Sequence, residues 1–209
     1  AIYFKAAWMH QFTAEQTQDG AFTLTDGSTK TVPMMHQTDS FGYFAGQGYQ
    51  AVNLPYSDGS TSMLILMPAA GSLDQFESNL TADVLQKTID GLSTAEVRLS
   101  MPLFKIESSF DLGSTLTQLG MDAAFDPQKA DFSAMDGSHD LSISSVVHKA
   151  YVNVDEEGTE AAAATGVIVG VTSMPMQEII ELNLDHPFVF FIMDNLNGAV
   201  LFMGRVANP

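Results

Sequence analysis

The sequence contains no cysteine and few basic residues. Without cysteine the chain has neither disulfides nor thiolate chemistry, so its fold and function do not depend on the redox compartment. Its 8 Lys and Arg against 25 Asp and Glu give a formal net charge of −17 at pH 7. Nucleic acids, anionic membranes and heparin all require a basic surface. We therefore expect none of these three as a partner.

The sequence also lacks a membrane-spanning run and the short motifs of common enzymes. The uncharged stretch 161–171 is about half as long as the roughly 20 residues that a spanning helix needs. No Gly-x-Ser-x-Gly elbow, P-loop or His-Glu-x-x-His motif occurs. Asp136, His139 and Asp140 could form a weak metal site, but such residues occur together in Gly/Ser loops by chance. We expect a protein that is not an enzyme and that uses no metal or cofactor.

Apolar residues are abundant, at 45% of 209, which is enough for a substantial core. Alternating and continuous apolar runs predict many strands and a few helices, an α+β chain built on large mixed sheets. The predicted strands are residues 1–5, 23–44 (interrupted at Asp26-Gly27 and at Gly42), 50–55, 62–68, 96–110, 141–155, 179–184, 188–193 and 200–206. We expect 63–67 to be buried on both faces and the last two strands to form a core hairpin.

Three helices are predicted from their ends. Ser72 resembles the first residue of a capping box and would begin a short helix. Thr81 would cap a second helix that ends at Gly91. Asp111 would cap a third, closed by Gly120.

The stretch from Asp155 to Pro175 is the most unusual part of the sequence. Its four consecutive alanines favour a helix, but Gly158 and Gly166 bracket too few residues for a stable one. A period of two is also present, as in a strand with one small and β-branched face. That face comprises Thr159, Ala161, Ala163, Thr165, Val167, Val169 and Val171. Such a segment could be an exposed loop in one state and a buried strand in another, or an ordinary Ala/Gly-rich surface linker.

Ten short motifs, found in the same order along nearly the whole chain, resemble the serpin family of proteinase inhibitors. They are Ala1-Ile2-Tyr3-Phe4-Lys5-Ala6-Ala7-Trp8, Val32-Pro33-Met34-Met35, Leu54-Pro55-Tyr56, Met63-Leu64-Ile65-Leu66-Met67-Pro68, Met101-Pro102-Leu103-Phe104-Lys105, Leu119-Gly120-Met121, Ala130-Asp131-Phe132-Ser133, Val147-His148-Lys149-Ala150, Asp185-His186-Pro187-Phe188 and Phe202-Met203-Gly204-Arg205-Val206. In addition, Glu156-Glu157-Gly158-Thr159-Glu160-Ala161-Ala162-Ala163-Ala164-Thr165 resembles the family's hinge.

The resemblance implies that residues 1–209 are the β-rich C-terminal half of a serpin domain, of a prokaryotic-type member. Residues 156–178 would be the hinge and the exposed reactive-centre loop. The helical N-terminal half would be supplied by another chain or by sequence outside these 209 residues. We expect this half not to fold alone, because it would expose a sheet face and a strand edge.

The resemblance further implies a suicide inhibitor of serine proteases. The protease would attack the loop and form an acyl-enzyme, and the cleaved loop would then enter the main sheet as a new strand. The small hinge residues suit this step, because a buried strand cannot accept bulk or charge on its inward face. Non-inhibitory relatives carry bulky, charged or proline residues on that inward face, where this chain has only Thr159, Ala161, Ala163 and Thr165.

The family's spacing from the hinge places the scissile bond at Thr172-Ser173. Val171 and Met174 are the neighbouring candidates for the residue that the protease reads. A small uncharged residue suits an elastase-like or subtilisin-like target, whereas trypsin-like proteases are disfavoured because no Lys or Arg lies between Gly158 and Ile180. We expect a secreted, extracellular or periplasmic protein whose signal region lies outside this sequence.

Two further residues gain roles from the resemblance. Trp8, the only tryptophan, would be a core anchor under the hinge, and His148 would belong to a polar cluster beneath the sheet. Leu103 stands where many relatives carry a lysine that pairs with Glu156, so we expect that pair to be absent or replaced. Ala6 stands where the family has glycine. The alternatives are a serpin-fold binding or conformational protein that does not inhibit, and a loop-exchanged polymer.

Overall fold

The computed structural model describes residues 2–159 and 178–209. The chain divides into two compact units. The larger comprises Lys5–Lys105 with Asn153–Pro209, and the smaller comprises Ala1–Phe4 with Ile106–Val152. Both contain strands and helices, so the predicted α+β class is confirmed.

The strands and helices follow one another along the chain with short connections. The strands are β1 (Ile2–Tyr3), β2 (Ala6–Ala7), β3 (Gln18–Thr23), β4 (Thr29–Ala45), β5 (Tyr49–Pro55), β6 (Thr61–Pro68), β7 (Ser93–Pro102), β8 (Phe104–Asp111), β9 (Val147–Val154), β10 (Gly158–Thr159), β11 (Ile180–Asn183), β12 (Phe188–Asp194) and β13 (Val200–Val206). The α-helices are α1 (Leu73–Asn79), α2 (Ala82–Gly91), α3 (Gly113–Leu116), α4 (Asp122–Phe125) and α5 (Ser133–Asp136). Short turns of 3-10 and π geometry lie at Ala14–Gln16 and Thr117–Met121.

An eight-stranded sheet forms the framework of the larger unit, in the order β11-β7-β4-β5-β6-β12-β13 with β3 also on β4. Every pairing is antiparallel except that of β11 with β7. β6 is buried along its whole length, as its continuous apolar run predicted. Apolar side chains of α1 and α2, among them Leu73, Leu85 and Ile89, pack on one face of the sheet.

Two strand boundaries predicted within residues 23–110 are wrong. β4 continues through Gly42, which pairs with both Asn53 and Thr94 and therefore does not interrupt the strand. The predicted strand 96–110 is instead two strands, β7 and β8, that belong to different sheets. The break is at Leu103, whose N–H donates to the carbonyl of Pro33 after Pro102 has ended β7. Alternation continues across the break, which is why the sequence pattern did not reveal it.

The final hairpin is only half core. Every residue of β12 from Phe188 to Met193 is buried, but Leu201 is 44% exposed and Met203 72% exposed on β13. β13 lies at the end of the sheet, so no neighbouring strand covers it among the described residues. The prediction that the whole hairpin is core is therefore wrong for β13.

The helix ends agree with the sequence in part. Thr81 caps α2 by accepting the N–H of Val84, as predicted, and α2 ends at Gly91. The capping box at Ser72 is wrong, because its hydroxyl donates to the carbonyl of Ala69 and caps nothing. Asp111 accepts the N–H of Gly113, and the helical stretch that follows is interrupted at Gly120, whose φ of 100° is not helical, as the predicted helix end requires.

β9 is the central strand of the smaller unit. β1 pairs with it in parallel, through Ile2 with Ala150 and Tyr3 with Tyr151, and β8 pairs with it as well. It begins at Val147, so the predicted strand start at Leu141 is wrong. Across the described residues, no helix combines the length and apolar character needed to cross a membrane.

Candidate functional site

The candidate site is the turn that follows β9, residues 155–159, which we call the hinge turn. The Asp155 carboxylate accepts the backbone N–H groups of Glu157, at 3.0 Å, and of Gly158, at 3.1 Å. The N–H of Asp155 in turn donates to the carbonyl of Gly158. An aspartate that satisfies the backbone two and three residues ahead fixes a tight reversal. The chain therefore turns back on itself immediately after Val154.

After this reversal the chain re-enters a sheet. β10 is antiparallel to β2, with Gly158 opposite Ala7 and Thr159 opposite Ala6. On its other side Thr159 pairs with Val154, the last residue of β9. Thr159 thus lies between β2 and β9, and it is fully buried.

Glycine is the only residue type that fits at position 158. Its φ is +155°, and a Cβ there would lie 2.2 Å from the Ala6 carbonyl oxygen and 2.7 Å from the Ala7 Cα. Both neighbours are backbone atoms of a paired strand and cannot rotate away. A glycine at this position lets the hinge turn approach β2 closely.

Trp8 holds the hinge turn from the side. Its indole N–H donates to the carbonyl of Asp155 at 2.9 Å, and its backbone N–H donates to the carbonyl of Glu157. The side chain is only 2% exposed, so the predicted core anchor is confirmed. Its ring stacks on that of Tyr56, with centroids 4.6 Å apart and planes 8° from parallel.

Tyr56 links the aromatic stack to Thr159. Its hydroxyl lies 2.7 Å from the Thr159 hydroxyl, and both side chains are fully buried. Burial raises the pKa of Tyr56 well above its ordinary value of about 10, so the hydroxyl keeps its proton. The Leu54-Pro55-Tyr56 motif pointed to this segment, but it gave no sign of the contact with Thr159.

Glu156 has a partner that the sequence did not identify. The Thr17 hydroxyl donates to its carboxylate at 2.7 Å, and the Phe12 N–H donates to its carbonyl. Gln11 donates to the carbonyl of Glu157 at 3.3 Å. The Glu156 carboxylate therefore has a hydroxyl donor, and the expectation that the lysine pair is absent or replaced because of Leu103 stays a prediction.

The predicted site residues are brought together only in part. Trp8 and residues 156–159 form one connected group, to which the structure adds Gln11, Thr17, Tyr56 and Asp155. His148 lies in the smaller unit on β9, half-buried, and its imidazole makes no hydrogen bond with the described residues. The other predicted hinge residues, Glu160–Thr165, lie outside the described residues. So do Val171, Thr172, Ser173 and Met174.

The weak metal candidate does not assemble. His139 pairs with Asp131, at 3.3 Å, rather than with Asp136 or Asp140. Within residues 2–159 and 178–209 no group of three or more His, Cys, Asp and Glu side chains could hold a metal ion. The contacts that the structure gives the hinge turn are hydrogen bonds, together with the stacked rings of Trp8 and Tyr56 beside it.

Comparisons with known proteins agree on one family. The family model described as Serpin (serine protease inhibitor) matches residues 1–209. Leukocyte elastase inhibitor A of Mus musculus is 43% identical over 218 residues, which cover 100% of this chain and 57% of the mouse protein. An uncharacterised serpin-like protein of Thermococcus kodakarensis is 41% identical over 211 residues, covering 100% of this chain and 49% of its own length. Because the mouse and the Thermococcus proteins are almost equally identical to this chain, the prokaryotic type stays a prediction.

A solved structure has the same fold. The thermophilic serpin tengpin, in its native state, is 30% identical to this chain with a TM-score of 0.83, covering 99% of this chain and 54% of tengpin. The chain spans about half the length of the curated relatives it matches.

Several relatives, the leukocyte elastase inhibitors, are named as inhibitors, in line with the expectation that the protein is not an enzyme. The comparisons do not support the secreted or periplasmic location, which stays a prediction. The family model over the whole chain, the relatives and the shared fold lead to one conclusion: the chain belongs to the serpin family, as a partial serpin domain.

Proposed function

We propose that the whole protein containing this chain inhibits serine proteases by inserting its cleaved loop into a sheet as a new strand. The observation that carries the proposal is β10, in which Gly158 and Thr159 already lie beside β2 and Thr159 also pairs with β9. Residues 156–178 are the proposed hinge and reactive-centre loop. The rest of the serpin domain is a necessary partner of this half.

The register of β10 defines how insertion would proceed. Thr159 opposes Val154 on β9 and Ala6 on the other side. In the same register, Ala162 would oppose both Tyr151 and Tyr3, which now pair with each other and whose rings stack at 6.5 Å. Insertion would therefore separate β1 from β9 and exchange one parallel pairing for two antiparallel ones.

The composition of the loop supports burial in that position. Thr159 points to the buried side, and strand alternation would put every second residue after it on the same side. The next three such residues are Ala161, Ala163 and Thr165, all small and uncharged. None would leave a buried charge or force the sheet apart.

The length of the loop is sufficient for the mechanism. About 13 residues, from Thr159 to Val171, would span roughly 43 Å as a strand at ~3.3 Å per residue. A protease bound as an acyl-enzyme at Thr172 would be carried that distance. Its active site would be distorted before the ester could be hydrolysed.

The proposed target is an elastase-like or subtilisin-like serine protease, with Thr172-Ser173 as the scissile bond. Val171 and Met174 flank that bond and would contribute to specificity. A small residue at the cleavage site suits a shallow pocket, and no Lys or Arg lies between Gly158 and Ile180. The relatives named leukocyte elastase inhibitor support the same class of target.

Incubation of the whole protein with an elastase and with subtilisin tests the proposal. The expected result is a band of summed mass that survives denaturing electrophoresis and a released peptide that begins at Ser173. Cleavage near Thr172 with no adduct and with full protease activity would mean that the loop is only a substrate, as in a non-inhibitory serpin-fold protein. Loop-exchanged polymers would instead appear as a ladder on native gels without any protease.

A further inference from the structure

Thr159 of the hinge turn and Tyr56 form a buried pair of hydroxyl groups that neither the hinge composition nor the proposed mechanism explains. The Tyr56 and Thr159 hydroxyls lie 2.7 Å apart, and each side chain is 0% exposed. Water cannot reach this place, so each hydroxyl depends on protein partners for its hydrogen bonds. Loss of one partner would leave the other hydroxyl short of a hydrogen bond in a buried position.

Tyr56 is held rigidly, which makes it suitable as a fixed point. Its backbone N–H donates to the carbonyl of Thr61, and its own carbonyl accepts the N–H of Gly59, in the turn between β5 and β6. The Asp58 carboxylate secures that turn by accepting the N–H groups of Ser60 and Thr61 and the Thr61 hydroxyl. The Tyr56 ring is also confined by the stacked ring of Trp8.

Within the described residues, Thr159 has few backbone constraints. It pairs with Ala6 of the two-residue strand β2 on one side and with Val154, the last residue of β9, on the other. So few paired residues give little hold through backbone pairing alone. A side-chain contact to a rigid group would supply the missing constraint.

We propose that Tyr56 is the positioning residue that keeps Thr159 in the sheet before any protease arrives, and that its hydroxyl requires a hydroxyl-bearing side chain at position 159. Insertion would then always begin from the same residue and register. The consequence for inhibition rests on the function proposed above, whereas the anchoring itself does not. A threonine at this position is thus selected by its hydroxyl as well as by its small size.

Hydrogen exchange of the whole protein, read by mass spectrometry on a peptide covering residues 153–159, tests the anchoring without a protease. Tyr56→Phe should raise exchange of the hinge-turn amides about fivefold, as expected for loss of one net hydrogen bond. Thr159→Val keeps the shape but not the hydroxyl and should raise it similarly. Thr159→Ser keeps the hydroxyl and should stay within about twofold of the wild type.

The double variant distinguishes a direct contact from two independent effects. Tyr56→Phe with Thr159→Val removes both hydroxyls of this hydrogen bond at once, so neither is left facing the place of the other. Its exchange should be no faster than that of either single variant. Multiplied effects of the two changes would overturn the proposal.

The chain offers a matched control at Tyr49. Its hydroxyl also lies 2.7 Å from a buried threonine hydroxyl, that of Thr88 on α2. Tyr49→Phe should leave exchange of the hinge turn unchanged. Equal effects of the two Tyr→Phe variants on that peptide would mean that Tyr56 acts only through general stability, and the proposal would fail.

Covalent-complex formation with elastase and subtilisin, measured on the same samples, separates this proposal from the proposed function. If wild-type protein forms no complex but Tyr56→Phe raises hinge exchange, the anchor stands and the inhibitory function fails. If wild-type protein forms the complex and Tyr56→Phe leaves hinge exchange unchanged, the function stands and the anchor is wrong.

Discussion

Replacement of Gly158 by alanine is the most informative single change, because it should push the hinge turn out of the sheet. The new Cβ would lie 2.2 Å from the Ala6 carbonyl oxygen, well inside the 3.0 Å below which real Cβ contacts essentially never occur. The obstructing atoms are backbone and cannot move aside, so β10 must separate from β2. The Gly158–Ala7 and Thr159–Ala6 pairings would be lost, together with the Tyr56–Thr159 hydrogen bond.

The size of the effect follows from those contacts. At about 1 kcal/mol for each net hydrogen bond, three lost interactions lower the free energy of hinge opening by about 3 kcal/mol. That difference corresponds to an increase of about a hundredfold in hydrogen exchange at residues 158 and 159. Backbone strain from a positive φ would add about 1–2 kcal/mol for a residue other than glycine.

Gly71→Ala is the matched control. Gly71 also has a positive φ, of 77°, but no atom lies within 4 Å of the position that an added Cβ would occupy. It should cost only the backbone strain and leave exchange of the hinge turn at its wild-type rate. The reasoning is refuted if Gly158→Ala exchanges like the wild type, or if Gly71→Ala opens the hinge turn equally.

Three further predictions concern the same turn. Thr17→Ala should lower the free energy of unfolding by about 1–2 kcal/mol, since the Glu156 carboxylate loses its hydroxyl donor. Thr13→Ala, where the side chain caps no helix N–H, should change it by less than about 0.5 kcal/mol in the same denaturant titration. Asp155→Ala should cost about 1 kcal/mol by that assay, whereas Asp155→Asn, which keeps a side-chain oxygen acceptor, should cost less. Thr159→Glu would put a charge at a fully buried position, so elastase or subtilisin should cleave the loop and form at least about tenfold less covalent complex, counted on denaturing gels.

The sequence predicted the parts of the fold that depend on local pattern. The apolar run of β6 predicted burial on both faces, and Trp8, the single tryptophan, was predicted to be a core anchor; both side-chain environments are buried. The break at Leu103 could not be predicted, because the alternation of inward and outward side chains continues where the chain passes from β7 in one sheet to β8 in the other. The exposure of β13 could not be predicted, because an apolar strand has the same sequence pattern at the edge of a sheet as in its middle.

The contacts of the hinge turn lay beyond any local pattern. Tyr56 and Thr159 are 103 residues apart, and Thr17 and Glu156 are 139 apart. Hydroxyl groups find partners through the tertiary fold, and no spacing in the sequence encodes such pairs. The family resemblance predicted a hinge at these residues, and only the three-dimensional structure identified the contacts of residues 155–159.

Thermal unfolding of the whole protein before and after cleavage of the loop tests the central claim most directly. A protease that cuts between residues 160 and 177 without being trapped provides the cleaved form. If Gly158 and Thr159 begin a strand that extends on cleavage, about 12 more residues, 160–171, gain backbone pairing and Tm should rise by at least about 20 °C. An unchanged or lower Tm in the cleaved protein would mean that the loop does not enter the sheet, and would contradict the account.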